Sequence, residues 1–166
     1  MTIALNKSQL RDLLLKNWMT HDALWYAEVA LKLGMKEASP MNLRVCRRLG
    51  QIEYKRLLNV ANISPPANME QFQTVFDIGR QVFVPDFMSL EIAYPDKNLL
   101  QIHVLECFAH RGMEKAGQLA EYECGIFERI FGWFDAMNLN YTVEPDLTRC
   151  LKFKGRDCIV TFRFQF

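Results

Sequence analysis

The stretch MSLEIAYPDKNLLQIHVL, residues 88–105, contains the change of hydrophobic pattern that decides the fold. Apolar residues alternate with polar or small ones on both sides of a Pro95-Asp96-Lys97-Asn98 turn. This period of two is typical of half-buried strands joined in a β-hairpin. The sequence therefore predicts two antiparallel strands here, with different elements before and after them.

The residues before the hairpin, 8–83, carry apolar side chains at helical spacing and are predicted to form four helices. Ser8 and Thr20 are the predicted N-caps of the first two helices, and Gly34 is the predicted end of the second. The third helix is predicted to follow Pro40, and the fourth to cover residues 68–83. The N-terminal part is therefore expected to be helical throughout.

The residues after the hairpin predict a helix over 112–138, with a break near Tyr122, and two closing strands over 148–153 and 158–165. The order favours an α+β fold in which N-terminal helices pack on a C-terminal antiparallel sheet of strand-strand-helix-strand-strand order. We expect one domain over residues 1–166, with a helical half at 1–84 and a β-β-α-β-β half at 85–166.

The composition excludes several classes of partner. Of 166 residues, 20 are basic and 19 acidic, so the net charge is +1, and no charged block exceeds the Arg47-Arg48 pair. This balance argues against binding to nucleic acid or to a membrane surface. The N-terminal residues are too polar for the pattern expected of a secretion signal, and no apolar run is long enough to predict a membrane span. The protein is predicted to be cytoplasmic, with its five cysteines reduced.

Four of those cysteines, Cys107, Cys124, Cys150 and Cys158, follow the hairpin and carry most of the candidate chemistry. Reduced thiols are metal ligands, nucleophiles or small core residues, and without a C-x-x-C pair the sequence leaves these alternatives open. Cys124 is predicted near a helix start, where the pKa of a thiol can be lowered. Cys158 lies on the apolar face of the last strand, which favours core packing. A turn after the second strand would bring Cys107 close to His110.

Residues 21–28 and Glu53 are the second group of candidates. His21, Trp25 and Glu28 share one helix face, and His21 beside Asp22 suits a general base or a metal ligand. The alternative is a solvated first turn of a helix. Glu53 interrupts an apolar stretch, so it is predicted either to be buried with a partner such as Arg56 or Arg129, or to lie at the edge of the apolar stripe.

Several strings together resemble a group of bacterial and archaeal proteins of unknown function. They are NWMTHDALW at 17–25 and GQIEYKRL at 50–57, followed by CFA at 107–109, YECGI at 122–126 and WFDA at 133–136. The group is in turn similar to L-2-amino-thiazoline-4-carboxylate hydrolases, which open a small sulfur heterocycle. The resemblance covers nearly the whole chain.

The resemblance implies a pocket between the N-terminal helices and the sheet, and a thiol- or metal-dependent hydrolase acting on a small cyclic amidine or thioester. The alternative is a non-catalytic module or sensor that binds a metal or a small ligand; a homodimer and a zinc or iron cofactor stay open. The implied catalytic residues are Cys107, Cys124, His21, Asp22 and Glu53. The candidate ligand contacts are Trp25, Arg129 and Trp133, and the candidate metal ligands are His21, Cys107, Cys124, Cys150 and Cys158.

Overall fold

The computed structural model describes residues 4–166, over which helices precede an antiparallel sheet, so the α+β prediction is confirmed. Residues 1–3 of the predicted domain lie outside the described residues, and the prediction of a single domain stays a prediction. In chain order the elements are α1 (Lys7–Leu33), α2 (Met35–Ala61), α3 (Met69–Phe83), β1 (Ser89–Ala93), β2 (Leu99–Glu106), α4 (Phe108–Lys115), α5 (Gly125–Ala136), β3 (Asn140–Glu144) and β4 (Ile159–Gln165), with a short 3-10 turn at Phe153–Gly155.

A single helix replaces the two predicted over residues 8–33. Its cap is Asn6, whose side chain accepts a hydrogen bond from the backbone N–H of Gln9 at 2.8 Å, while the Gln9 side chain accepts from the backbone N–H of Asn6. Thr20 lies inside α1, where its hydroxyl donates to the carbonyl of Lys16 at 2.7 Å. Both predicted caps, Ser8 and Thr20, are therefore wrong, because apolar residues keep packing inward on either side of Thr20.

The turn between α1 and α2 is the one residue Gly34, with φ of 81°. This positive φ is readily adopted by glycine, so the predicted helix end is confirmed. The next helix begins at Met35 and contains Pro40, instead of following it. The prediction that this helix follows Pro40 was wrong, because a proline close to the first turn of a helix removes few intrahelical hydrogen bonds.

The four described strands pair in the order β1-β2-β4-β3, every pair antiparallel. The predicted hairpin and the last strand are confirmed, but the strand expected at 148–153 is wrong. The third strand is instead Asn140–Glu144, where half-buried Tyr141 and Val143 alternate with exposed residues. Cys150 and Leu151 are buried in the loop before β4, so their apolar character reflects packing of that loop.

An aromatic core joins the sheet to α3 and α5. Phe134 of α5 meets Phe162 and Phe164 of β4 edge-on, with ring centroids 5.1 Å apart in both pairs. Phe72 of α3 lies 4.5 Å from Phe164 by the same measure. Edge-on and tilted aromatic pairs are favourable beyond the area that they bury. The fully buried rings fix the helices on one face of the sheet.

Two helix arrangements bear on the site. The helix predicted over 112–138 is divided into α4 and α5, with residues 116–124 between them, so the predicted break near Tyr122 is confirmed. α2 and α5 cross closely at Gly50 and Gly132, where a Cβ atom on either residue would meet a backbone oxygen of the other helix at 2.1 Å.

Across residues 4–166, no helix combines the length and the apolar character needed to cross a membrane.

Candidate functional site

A cavity of about 210 Å³ lies between α1, α2, α4 and α5. Its walls are mainly apolar and include Trp18, Met19, Phe108, Met113 and Ile126. The few polar or ionisable side chains in the wall are Asp22, Tyr26, Asn42, Cys46, Gln118, Tyr122 and Arg129. An apolar enclosure with a few converging polar groups is the usual form of a small-molecule site.

Asp22 is the acidic group of this cavity. Its side chain is half-buried on the inner side of α1, and among residues 4–166 no donor makes a hydrogen bond to its carboxylate. Burial raises the pKa of the Asp22 carboxyl above its usual value, and the positive charges of Arg129 and His21 offset this only in part. A carboxylate that loses part of its water without gaining a donor is destabilised, and the half-buried position leaves room for a donor from outside the chain.

Arg129 on α5 is the basic group of the cavity, and a buried network orients it. Its Nε and Nη2 donate to the Glu53 carboxylate at 2.8 and 2.7 Å, and Trp133 Nε1 donates to the same carboxylate at 3.0 Å. The guanidinium carbon lies 5.0 Å from the ring centroid of Trp18. The prediction that Glu53 is buried with Arg129 is therefore confirmed, and the ion pair holds the Arg129 guanidinium in place.

One nitrogen of Arg129 remains free for a ligand. Within residues 4–166, Nη1 makes no hydrogen bond, whereas Nη2 also donates to the backbone carbonyl of Phe83 at 3.4 Å. Because Arg129 also lines the cavity, its guanidinium offers a donor edge there. Trp133 is 2% exposed and does not line the cavity, so the predicted ligand contact lies instead in the buried network beside Glu53.

Sequence reasoning missed Cys46, Asn42 and Tyr122 as cavity residues. Cys46 lies one helical turn after Asn42 on α2, and its thiol donates to Asn42 Oδ1 at 3.7 Å. Burial raises the pKa of the Cys46 thiol to about 12, so the group is neutral at physiological pH. The i, i+4 spacing of Asn42 and Cys46 was a signal for a shared face, but nothing in the sequence indicated that this face lines a cavity.

His21 and Trp25 lie outside this cavity. They share one face of α1, as their spacing predicted, and Trp25 Nε1 donates to His21 Nε2 at 3.2 Å. Both side chains are exposed, and Trp25 retains 63% of its accessible surface. The structure therefore separates His21 from the thiols with which it was grouped, while it turns the adjacent Asp22 inward.

The other four cysteines line a second, much smaller cavity of about 10 Å³. Cys107 precedes α4, Cys124 precedes α5, Cys150 lies in the loop after β3, and Cys158 precedes β4. His110 is also in the wall, so the expected proximity of Cys107 and His110 is found. Tyr122 and Ile126 belong to both cavities, which makes the two cavities neighbours.

Burial disfavours the thiolate form of the four cysteines in this second cavity. Burial raises the pKa of Cys107, Cys124 and Cys150 above the usual value, and raises that of Cys158 to about 12. The lowered pKa expected for Cys124 at a helix start was wrong, because desolvation of the thiol outweighs the effect of the helix terminus. Across residues 4–166, no three His, Cys, Asp or Glu side chains stand close enough as placed to hold a metal ion.

Comparisons with known proteins give one match. The sequence profile of a family of unknown function, DUF6125, matches residues 4–154. No curated protein and no solved structure matches the chain. The predicted relation to uncharacterised proteins is thus confirmed, whereas the similarity to thiazoline-carboxylate hydrolases stays a prediction.

Proposed function

Because the chain belongs to DUF6125, a family of unknown function, its membership assigns no activity, and we propose from the geometry that it binds a small ligand. The site is the cavity between α1, α2, α4 and α5. The ligand is a small aromatic or heterocyclic molecule that carries an amine or amidine group. The protein is then a binding or sensor module, with no catalytic step in this cavity.

The size of the cavity supports a ligand of one or two rings. Its volume is about 210 Å³. An apolar cavity of roughly 150 Å³ in a protein interior accommodates benzene. A substituted single ring or a small fused ring therefore fills the space, and the apolar wall from Trp18 to Ile126 suits its faces.

The observation that carries the proposal is Asp22, a half-buried carboxylate without a hydrogen-bond donor in a mainly apolar wall. A cationic N–H group from a ligand would restore the hydrogen bonds and the charge balance that the carboxylate loses on burial. An amidinium suits it best, because its two parallel N–H groups match the two carboxylate oxygens.

Arg129 and Asn42 support a second polar contact. The free Nη1 edge of Arg129 offers a donor, while Glu53 already neutralises the charge of the guanidinium. Asn42 adds an amide to the wall of the same cavity. A ligand with a carbonyl or carboxylate away from its amidine would accept hydrogen bonds from Arg129 and Asn42. Together with the contact to Asp22, these bonds would fix the orientation of the ligand in the cavity.

The alternative function is that of a thiol- or metal-dependent hydrolase acting on a small cyclic amidine or thioester. A cyclic amidine would also suit Asp22, so the two functions involve the same class of small molecule. The geometry supports catalysis less well, because Cys46 is the one described cysteine in this cavity and its raised pKa disfavours the thiolate. Binding without turnover is therefore the function that we propose.

Isothermal titration calorimetry with three ligands of nearly the same shape tests this proposal. Benzamidine is a cation, benzamide is neutral and benzoate is an anion, while ring and substituent geometry stay the same. We expect benzamidine to bind at least about tenfold more tightly than benzamide, since a hydrogen bond to a charged group contributes about 1.5–3 kcal/mol. Benzoate should bind most weakly.

Two variants separate the cavity carboxylate from general charge effects. Asp22→Asn should remove the preference for benzamidine over benzamide. Glu28→Gln removes a negative charge from the exposed face of the same helix and should keep that preference. The proposal fails if none of the three ligands binds the wild-type protein, or if Asp22→Asn retains the preference.

A further inference from the structure

The outer face of α1 carries six apolar side chains that the rest of residues 4–166 leaves uncovered. Each keeps between 48 and 81% of its accessible surface, and together we call them the outer stripe: Leu10, Leu13, Leu14, Leu24, Trp25 and Leu31. The opposite face of the same helix packs on the protein through Leu15, Met19 and Ala30. Helices that are apolar on both sides are normally buried on both sides, so the outer stripe indicates a further contact.

The exposed positions on this face have the spacing of a coiled-coil seam. Residues 10, 14, 17, 21, 24, 28 and 31 follow alternating steps of four and three, and all seven are exposed. A repeat of this kind keeps one side of a helix facing a second helix along its length. From Leu10 to Leu31 the seam runs about 32 Å along the helix axis. The surface therefore suits a partner helix as long as α1 itself.

The outer stripe is also large enough for a stable interface. Its six side chains together present roughly 400–600 Å² of apolar surface. A standard interface buries about 800 Å² on each partner, and somewhat more than half of that area is apolar. Single exposed leucines are common on monomers, but a contiguous patch of this size usually marks an interaction site.

We propose that α1 pairs with α1 of a second copy of the chain, antiparallel and around a two-fold axis beside Met19. A two-fold contact forms every interaction twice, so it suits a helix whose two halves complement each other. In this arrangement Leu14 of each copy faces Leu24 of the other. The ligand cavity lies on the inner side of α1, so the proposed dimer does not depend on the proposed ligand.

Asn17 and His21 select this register. A polar side chain closed against a leucine loses its hydrogen bonds to water, whereas the axis beside Met19 places Asn17 of each copy opposite His21 of the other. Trp25 Nε1 donates to His21 Nε2, so a neutral imidazole carries its proton on Nδ1 and can donate it to Asn17 Oδ1 of the second copy. A polar pair at one level of a coiled-coil seam specifies the register of the helices.

The charges beside the seam favour the antiparallel direction. Antiparallel pairing brings Glu28 of each copy opposite Leu10 of the other, one helical turn from Lys7. Parallel pairing would instead place the two Glu28 carboxylates against each other. Exposed ion pairs at the edge of an interface contribute little affinity, but the repulsion of like charges excludes the wrong arrangement.

Sedimentation velocity of the full-length chain tests whether the dimer forms. At about 20 μM the wild type should have twice the chain mass of 19.4 kDa. Leu14→Lys and Leu24→Lys should each weaken dimerisation at least about a hundredfold, because the two-fold axis places a lysine against apolar surface at two sites. Circular dichroism checks that both variants keep the fold, as the exposure of these side chains predicts.

Leu105→Lys is the matched control for these variants. Leu105 is 40% exposed on β2, next to the buried Val104 and therefore on the other face of the sheet. Its replacement makes the same chemical change outside the outer stripe and should leave the dimer intact.

Disulfide cross-linking tests the direction of pairing. Chains with Asn17→Cys, mixed with chains with His21→Cys, should cross-link on oxidation because these positions face each other. Asn17→Cys chains alone should cross-link poorly, since the two equivalent positions are displaced by about 6 Å along the axis in addition to the separation of the helices. The wild type, whose cysteines are all buried or half-buried, gives the background.

Four results would overturn the proposal. One is a wild-type chain that stays monomeric at about 100 μM. Another is a dimer that Leu14→Lys and Leu24→Lys leave unchanged, which would place the contact elsewhere. Efficient cross-linking of Asn17→Cys chains to one another would show parallel pairing. The last is a monomeric chain that sediments with vesicles of phosphatidylcholine and phosphatidylserine, which would mean that a lipid surface covers the outer stripe.

Discussion

Arg129 on α5 and Glu53 on α2 form a two-point ion pair, Nε to Oε2 at 2.8 Å and Nη2 to Oε1 at 2.7 Å. Each side chain keeps only 10% of its accessible surface. Trp133 completes the coordination of the carboxylate, and the ring of Trp18 covers the guanidinium. The pair joins the two helices that cross most closely and sets the edge that Arg129 presents to the ligand cavity.

Removal of one partner from this pair should be strongly destabilising. Glu53→Gln leaves the buried Arg129 charge without compensation, and we expect the free energy of unfolding to fall by about 3–5 kcal/mol. Urea denaturation of the wild-type and variant chains measures the loss. The partly exposed pair of Asp77 and Arg80, 3.4 Å apart, is the control, and Asp77→Asn should cost less than about 1 kcal/mol.

A double variant shows whether the ion pair itself is required. Glu53→Met combined with Arg129→Met should be less destabilised than the sum of the two single variants, because an apolar pair avoids the unpaired charge. A cost for Glu53→Gln as small as that for Asp77→Asn would contradict the buried-pair description.

The crossing of α2 and α5 predicts opposite effects for alanine at different glycines. A Cβ at Gly50 would lie 2.1 Å from the carbonyl oxygen of Arg129, and one at Gly132 would lie 2.1 Å from that of Arg47. We expect Gly50→Ala and Gly132→Ala each to destabilise the fold by about 3 kcal/mol, since backbone must move. Both losses can be read from chemical denaturation.

Gly112 is the internal control for these substitutions. It lies inside α4, and a Cβ there would meet nothing within 4 Å. Gly112→Ala should therefore stabilise the protein by about 0.5–1 kcal/mol through lower chain entropy in the unfolded state. If all three alanine variants behaved alike, the close approach of α2 and α5 would be wrong.

Local patterns predicted the elements whose residues need little help from elsewhere. The alternation through Leu90, Ile92, Ile102 and Val104 gave β1 and β2, because each strand buries one face against its own neighbours. Thr20 was misjudged since its side chain suits a cap, and only the continued packing of Met19 on the inner face keeps α1 intact through this position. Tertiary contact overrode local preference there.

The site was harder to predict because adjacent residues of a helix point in different directions. His21 and Asp22 are about 100° apart around α1, so the way that α1 packs on its neighbours decides which one turns inward. Nothing local to residues 17–25 fixes that rotation. The four thiols come from four loops and strand ends, and their convergence depends on how β2, α5 and β4 pack together.

Alkaline pH should destabilise the fold in part through Cys46. Its folded-state pKa is about 12, above the ordinary value of 9.0, because the thiol is buried. The stabilisation is fully present below pH 9.0 and is lost as the pH rises toward 12. Between pH 8 and 10.5 the wild type should lose about 2 kcal/mol more stability than Cys46→Ala.

Denaturation curves of both chains across that pH range provide the measurement. Other buried groups, such as Tyr54, titrate in both proteins and cancel in the comparison. Parallel pH dependences for the wild type and Cys46→Ala would show that the thiol is accessible to water, and the proposed enclosure of this side of the cavity would be wrong.

The carboxylate proposed to bind the ligand should weaken the ligand-free fold. Burial raises the pKa of Asp22, so its stabilising contribution is complete below the ordinary value of 3.8 and is lost as the pH rises through the folded-state value. At pH 7, Asp22→Asn should therefore be more stable than the wild type, by at most about 1 kcal/mol because water still screens the half-buried group. The difference should vanish at acidic pH, which thermal denaturation at several pH values can establish.

Glu28→Gln, on the exposed face of the same helix, is the control for this prediction, and its stability should stay within about 0.5 kcal/mol of that of the wild type at every pH. At pH 7 and saturating benzamidine, the wild type should instead become more stable than Asp22→Asn, because only the wild type gains charged hydrogen bonds from the ligand. A less stable Asp22→Asn chain at pH 7 would mean that the protein itself already satisfies this carboxylate, and the reason for assigning a cationic ligand to the cavity would disappear.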